Sequence, residues 1–430
     1  MKFRILFAFV AAVLLCGCSV SPVKWDSPDD ASRDLRSNSS FAVSSAAKPA
    51  DSKAVSSMAT DNTASIKQNF FYNDIKAVWI SYLELEPILK DKSESYFKNK
   101  FASIIKNVAN LGLNTVIVQV RPFADALYPS EIFPPSAVWT SDMKPASFDP
   151  LEIMLKTAHE SKISFHAWIN PLRGATKSQV ALIDGKYKVK ALYNGKNKAK
   201  LLGGRYYFNP AYGDVKRLIA NGVEEIVKNY NVDAIHIDDY FYPTTAKSFD
   251  AAAYEKYANG RSLSRFRLDN CNDMVNRIYT AAHTAKNVKF GISPQGSIRN
   301  NYGSQYADVK LWCSKNGYAD YIMPQIYYGF LNSSEPFKKV CREWASCVTN
   351  KNIILTAGLA CHKINMAVDA YAGVGKGEWA KNSDVISRQI KYLSDNDDFS
   401  GFSLYSYKSI FGNKQAKSER ENIRKILKSD

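Results

Sequence analysis

The sequence predicts an α/β protein: a (β/α)8 TIM barrel with enlarged loops, preceded by an N-terminal leader and a disordered tether. Three observations carry this. From residue 75 onward, eight short apolar runs alternate with amphipathic stretches of helical period. Such alternation implies parallel strands, because each crossover must carry a helix, and eight units in about 355 residues suit a barrel. The rival open doubly wound sheet usually shows a glycine-rich phosphate turn after its first strand, and none follows Ile75–Tyr82.

The chain has 430 residues, 46% of them apolar and 13% aromatic, which excludes a wholly disordered polymer. Its 57 basic against 41 acidic side chains give +16, a charge that favours polyanionic partners. Lys2 and Arg4 precede the apolar stretch Ile5 to Leu15, which is too short to span a bilayer. The tetrad Leu15-Cys16-Gly17-Cys18 resembles the bacterial lipobox, so Cys18 is expected to be lipidated and to become the mature N-terminus at a membrane surface. Loss of Lys2 and Arg4 with the leader would take the charge from +16 to about +14. From Ser19 to about Asn73 the chain is rich in Ser, Ala, Asp and Lys, and buries too little apolar surface to offset its ordering entropy. The expected division is therefore residues 1–17 leader, 18–73 lipidated cysteine and flexible linker, and 74–430 barrel.

The eight expected strands are Ile75–Tyr82, Thr115–Arg121, Ile163–Asn170, Val232–Asp239, Lys289–Gln295, Asp320–Tyr327, Ile353–Gly358 and Gly401–Tyr407. Helical spacing is clearest at Phe101–Leu111, Pro150–Ser161, Asp214–Tyr230, Phe266–Ala285 and Val385–Leu393. Between the third and fourth strands, residues 174–205 form a basic insertion with Lys186, Lys188, Lys190, Lys196, Lys198, Lys200 and Arg205 around Tyr187 and Tyr193. It reads either as a solvated β-hairpin excursion or as a basic arm over the active-site face that contacts an anionic polymer. Cys271, Cys313, Cys341, Cys347 and Cys361 are odd in number and lack C-x-x-C spacing, so no disulfide framework is expected. Five scattered histidines make no zinc motif. No cofactor and no metal are implied. His236 and Asp238 share a face, but two ligands make a poor cation site.

Alternate strand residues face opposite sides, so polarity can be read face by face. Gln119 and Arg121 share a face on the second strand, His166, Trp168 and Asn170 on the third, and His236 and Asp238 on the fourth. Ser293 and Gln295, then Gln325 and Tyr327, then Ser403, Tyr405 and Tyr407 continue the series. These polar sets fall toward the C-terminal halves of their strands, where barrel enzymes build their sites. The following loops are aromatic at Tyr206 to Phe208, Tyr240 to Tyr242 and Tyr327 to Phe330, suited to stacking on sugar rings.

The segment Asp233-Ala-Ile-His-Ile-Asp-Asp-Tyr-Phe-Tyr-Pro243 resembles the fourth-strand signature of the bacterial glycosyl hydrolase-like 10 family, many of whose members are lipoproteins. Supporting pieces are Lys76-Ala-Val-Trp-Ile80, Asn114-Thr-Val-Ile-Val-Gln-Val-Arg121, Ala167-Trp-Ile-Asn-Pro171, Phe290-Gly-Ile-Ser-Pro294 and Tyr321-Ile-Met-Pro-Gln-Ile-Tyr327, with Tyr306-Ala-Asp308 ahead of Trp312. The resemblance implies a TIM barrel and cleavage of bacterial glycans, with peptidoglycan glycan strands a substrate of some members. The family often has Gly where this chain has Ala234, and the basic insertion is a larger departure that leaves the substrate open.

Glycoside hydrolysis commonly needs two carboxyl groups, one ionised and one protonated at the start. Asp238 is the first expected catalytic residue, facing the barrel axis and held ionised by Arg121. Asp239 is the preferred partner, then Asp308, then Asp125, with Glu84 and Glu86 behind them. Gln119, Arg121, His166, Asn170, His236, Tyr240, Gln295, Gln325, Tyr327 and Tyr405 are the expected substrate-binding set. A chitinase-type D-x-x-D-x-D-x-E pattern laid on this strand meets Tyr240 where the acid Glu would stand, so substrate-assisted catalysis is not supported. The expected function is a membrane-anchored glycoside hydrolase of an envelope polysaccharide, its partners being that glycan and, through the lipid, a membrane. The rival is a non-catalytic glycan-binding lipoprotein. Nucleic-acid binding is disfavoured by the export signal and the lack of a recognition motif. The oligomeric state is not specified.

Overall fold

The computed structural model describes residues 69–285 and 287–429. The leader, Cys18 and most of the expected linker lie outside them. Eight parallel strands form the barrel: β1 Ile75–Ile80, β2 Thr115–Arg121, β3 Ser164–Ile169, β4 Ala234–Ile237, β5 Lys289–Ile292, β6 Tyr321–Ile322, β7 in two pieces (Ile354–Leu355 and Ala357–Leu359), and β8 Gly401–Leu404. Successive strands are neighbours, and β1 also pairs with β8. The two pieces of β7 close the ring, the first pairing with β6 and the second with β8.

Several strands end sooner than the apolar pattern suggests. In β6 ladder pairing stops at Ile322, and Pro324, which has no N–H to give, follows two residues on. The chain nevertheless stays in register, since Gln325 bridges to both Gln295 and Gly358. That registration brings two glutamines to the barrel mouth.

Inside the ring lie Ile75, Ala77, Trp79, Ile117, Trp168, Ala234, Tyr321 and Met323. Their alternates, among them Val78, Val116, Val118, Phe165, Ile235 and Ile237, face the surrounding helices. Large interior rings demand space elsewhere. A Cβ on Gly291 would stand 1.9 Å from the Tyr321 ring, so only glycine fits there. The helices match their expected faces, and their ends have local causes. Glu94–Leu111, with an apolar stripe from Phe97 to Leu111, begins at N-cap Ser93 and ends at left-handed Gly112. Pro150–Glu160 starts at Asp149, whose carboxylate accepts from Leu151 and Glu152.

Two expectations change. Residues 69–73, expected to belong to the flexible linker, contact the N-terminal end of the barrel. Phe70 donates its N–H to Asp233 at 2.7 Å, and Phe71 stacks on His166 with centroids 5.5 Å apart. Asp233 also accepts from Phe165 N–H and contacts His159, which fixes it as a staple of the barrel base. The 174–205 insertion is more than a hairpin. It carries the helices Lys177–Leu182 and Lys190–Asn194 and an antiparallel sheet of Arg173–Thr176, Ala199–Leu202 and Arg205–Phe208. Tyr187 is buried, and Tyr193 packs on Tyr206 and Phe208 while accepting from Ala175 N–H, so both tyrosines serve packing.

Candidate active site

Asp238 and Asp239 end the fourth strand at the C-terminal mouth of the barrel. Asp238 is buried, at 5% exposure. A file of amides crosses four consecutive strand ends to reach it. Tyr82 N–H donates to Gln119 Oε1 (3.0 Å), Gln119 Nε2 to Asn170 Oδ1 (2.5 Å), and Asn170 Nδ2 to Asp238 Oδ1 (2.7 Å). The Tyr240 N–H gives that same oxygen a second, longer bond of 3.2 Å. The side chains of Gln325, Gln295 and Gln305 surround Asp239.

These surroundings separate the two carboxyls. Burial, followed by the charge of Asp239, pushes the Asp238 pKa up to about 7, and Asn170 and Arg173 only partly oppose this. Burial also raises Asp239, but the neighbouring side chains of Gln325, Gln295 and Gln305 favour its anion. Asp238 is the better proton holder of the pair. The expectation that Arg121 keeps Asp238 ionised is therefore corrected. A register irregularity between Gln119 and Arg121 breaks the alternation of β2. Arg121 turns to the outer layer, lying 4.5 Å over the Phe133 ring and against Gly222, where a Cβ would meet its Nη1 at 2.2 Å.

Two more expected binders lie below the mouth. His166 and His236 are fully buried in the barrel interior, and the Tyr321 hydroxyl joins both, at 2.8 and 2.7 Å from their Nδ1 atoms. Phe71 covers His166 and Trp79 packs edge-on against His236, so these imidazoles fill the barrel. Burial lowers their basicity, His166 to about 4, and keeps both neutral. Asp308 is occupied as well: it caps the helix Val309–Ser314, accepting from Leu311 N–H, and its charge acts on buried Cys271. Asp125 is buried and accepts from Phe123 N–H and Ser136. Glu84 caps its own helix and accepts from Ser406 and Lys408, while Glu86 pairs with Lys90.

The remaining candidates do converge. Tyr327 and Tyr405 sit with ring centroids 5.9 Å apart, and the charges of both aspartates act on each of them. His362 packs edge-on against both rings. Tyr240, 44% exposed, covers the pair's outer side under the guanidinium of Arg173 at 4.4 Å. Sequence reasoning missed Gln305, Arg173 and Phe123 as members of this site. Gln305 and Phe123 lie on loops and Arg173 opens a strand of the small antiparallel sheet, so alternation along the barrel strands gives no signal for any of them.

A parallel barrel with paired carboxyls at its C-terminal mouth, amide donors around them and tyrosine rings beside them is the arrangement of a glycoside hydrolase-type protein. The glycosyl hydrolase-like 10 family profile matches residues 74–373, and the chain belongs to that family. It is 34% identical over 323 residues to the glycosyl hydrolase YngK of Bacillus subtilis, covering 69% of this chain and 62% of that protein. It is 30% identical over 288 residues to the glycosyl hydrolase DigH of Escherichia coli, covering 60% of this chain and 65% of that protein. The matched region thus spans less than two thirds of either relative. Among solved structures, the glycoside hydrolase domain of PgaB (BpsB) from Bordetella bronchiseptica aligns with a TM-score of 0.52 at 12% identity, covering 81% of this chain and 98% of that domain. The β-amylase catalytic domain of Paenibacillus polymyxa gives 0.52 at 10%, covering 83% and 99%. At these identities the likeness is one of fold.

Proposed function

We propose that this protein hydrolyses O-glycosidic bonds of a bacterial envelope polysaccharide, peptidoglycan glycan strands first among them, from a lipid anchor at Cys18. The observation that carries the reading is the unequal Asp238–Asp239 pair. Asp238, with its pKa at about 7, gives its proton to the departing glycosidic oxygen. Asp239, whose anion the side chains of Gln325, Gln295 and Gln305 favour, faces the positive charge developing at the anomeric carbon. Tyr327, Tyr405 and Tyr240 offer ring faces to the sugars, and Gln119 and Asn170 set the orientation of Asp238. The leader tetrad supports the anchor, and the family's action on glycans supports the substrate class.

Incubating the protein with purified peptidoglycan, de-peptidated glycan strands and other anionic polysaccharides tests the reaction. New reducing ends are expected, and Asp238→Asn is expected to slow their release by about 10²- to 10⁴-fold, the usual contribution of a positioned acid. Glycan affinity with no reducing ends would point to the binding-only reading instead. For the anchor, Cys18→Ser is expected to move the protein from the membrane to the soluble fraction, and unchanged sedimentation with membranes would reject it.

A further inference from the structure

We infer that Arg173 and Arg205 form a carboxylate-binding subsite beside the catalytic pair, so that one of the sugars bound at the mouth is acidic; this rests on the glycosidase reading above. The two arginines stand at opposite ends of the excursion, and its antiparallel sheet folds them back onto one ring. Their guanidinium carbons lie 4.8 and 3.7 Å from the centroid of Phe123, and Arg173 also lies 4.4 Å over Tyr240. One aromatic face attracts a cation, but two cations around the same ring repel each other. Burial and the charge of Arg173 indeed make Arg205 easier to deprotonate than an ordinary arginine.

The nearest carboxyl groups, Asp125 by Arg205 and Asp238 by Arg173, act on this pair through their charge without forming an ion pair with it. Asp125 is engaged by Phe123 and Ser136, and Asp238 by Asn170 and Tyr240. Neither arginine forms an ion pair among the described residues. The Nε of Arg173 is buried with no hydrogen-bond partner, while Arg205 gives one Nη1 hydrogen to the Gly174 carbonyl. Two guanidiniums on one ring, one of them with a buried, unanswered Nε donor, are a poor structural element and a good anion receptor. Their planar forks match a carboxylate, which accepts two parallel N–H bonds. Because Arg173 acts electrostatically on Asp238 and lies over Tyr240, a sugar held by this pair also lies beside the proton donor.

The test uses de-peptidated glycan strands with free carboxylates and the same strands with those groups converted to amides. Amidation is expected to lower kcat/KM of the wild-type protein by about 10- to 100-fold, mainly through KM, as loss of a charged hydrogen bond does. Arg205→Gln should bring the ratio between the two strands close to one, and Arg205→Lys should restore part of it. Equal handling of both strands by the wild-type protein would overturn the subsite, as would an Arg205→Gln loss that leaves the ratio intact. Calorimetric binding of both strands to the Asp238→Asn protein separates this from failure of the glycosidase reading. If neither strand yields reducing ends, tighter binding of the carboxylate form still supports the subsite, and equal affinity rejects it.

Discussion

Asp238 carries the sharpest expectations at the scale of single residues. Its folded pKa of about 7 stands well above the ordinary aspartate value of 3.8. The native protein therefore holds a proton that the unfolded chain releases between those values, and stability falls as pH rises from about 4 to 7. Above that range the full cost remains, on the order of a few kcal/mol. Asp238→Asn keeps the oxygen that accepts from Asn170 and removes the titration. It should stabilise the protein relative to wild type, with a gain that grows up to about pH 7 and then levels off; urea midpoints at pH 5 and 8 check this. Asn170→Ala removes a donor that favours the Asp238 anion. The basic limb of activity should move to higher pH in that variant, and a limb that stays in place would detach Asn170 from Asp238. Arg121 shows why one residue was misread. Alternation is a statement about unbroken strands, and the irregularity after Gln119 reversed the next polar side chain.

Loops, more than strands, decide what reaches the mouth. The segment after β4 carries Tyr240 and is held from outside by Arg267, which is fully buried. Its guanidinium bonds both oxygens of Asp250, the carbonyls of Thr245 and Ala246, and the Tyr306 hydroxyl. Arg267→Ala leaves Asp250 buried and unpaired, and should cost about 3–5 kcal/mol in denaturant unfolding. The strand-borne half of the site was legible in advance, since Gln119, Asn170, Asp238, Gln295 and Gln325 follow from polarity on one strand face. The loop-borne half was not. Gln305 and Phe123 reach the aspartates or their flanking arginines through turns whose paths depend on tertiary packing. The histidines mark a different boundary. Pattern placed His166 and His236 on the inner face correctly, but depth along the barrel axis separates filling from function, and a period of two carries no depth.

At the scale of the whole molecule, the barrel has a closed base and a polar mouth. Asp233, Phe70 and Phe71 seal the N-terminal end, while the excursion and the loop after β4 crowd the other. Phe71→Ala should lower stability by about 2 kcal/mol, less than for a fully buried ring, with KM unchanged, because its contacts are with His166 and Tyr321 below the site. A changed KM would mean that the base and mouth are coupled. The positive charge also takes a narrower meaning. Lys190 and Lys198 are tied to Val180 and Asp214, whereas Arg173 and Arg205 stand together at the mouth without a carboxylate partner.

The central claim is that Asp238 donates a proton to a glycosidic oxygen while Asp239 remains ionised, and the pH dependence of reducing-end release from de-peptidated glycan strands tests it most directly. Wild-type activity is expected to decline above about pH 7 as Asp238 loses its proton, and Asp238→Asn is expected to lose that limb along with about 10²- to 10⁴-fold of the rate. Full activity in Asp238→Asn, or a wild-type rate that keeps rising well above pH 7, would contradict it.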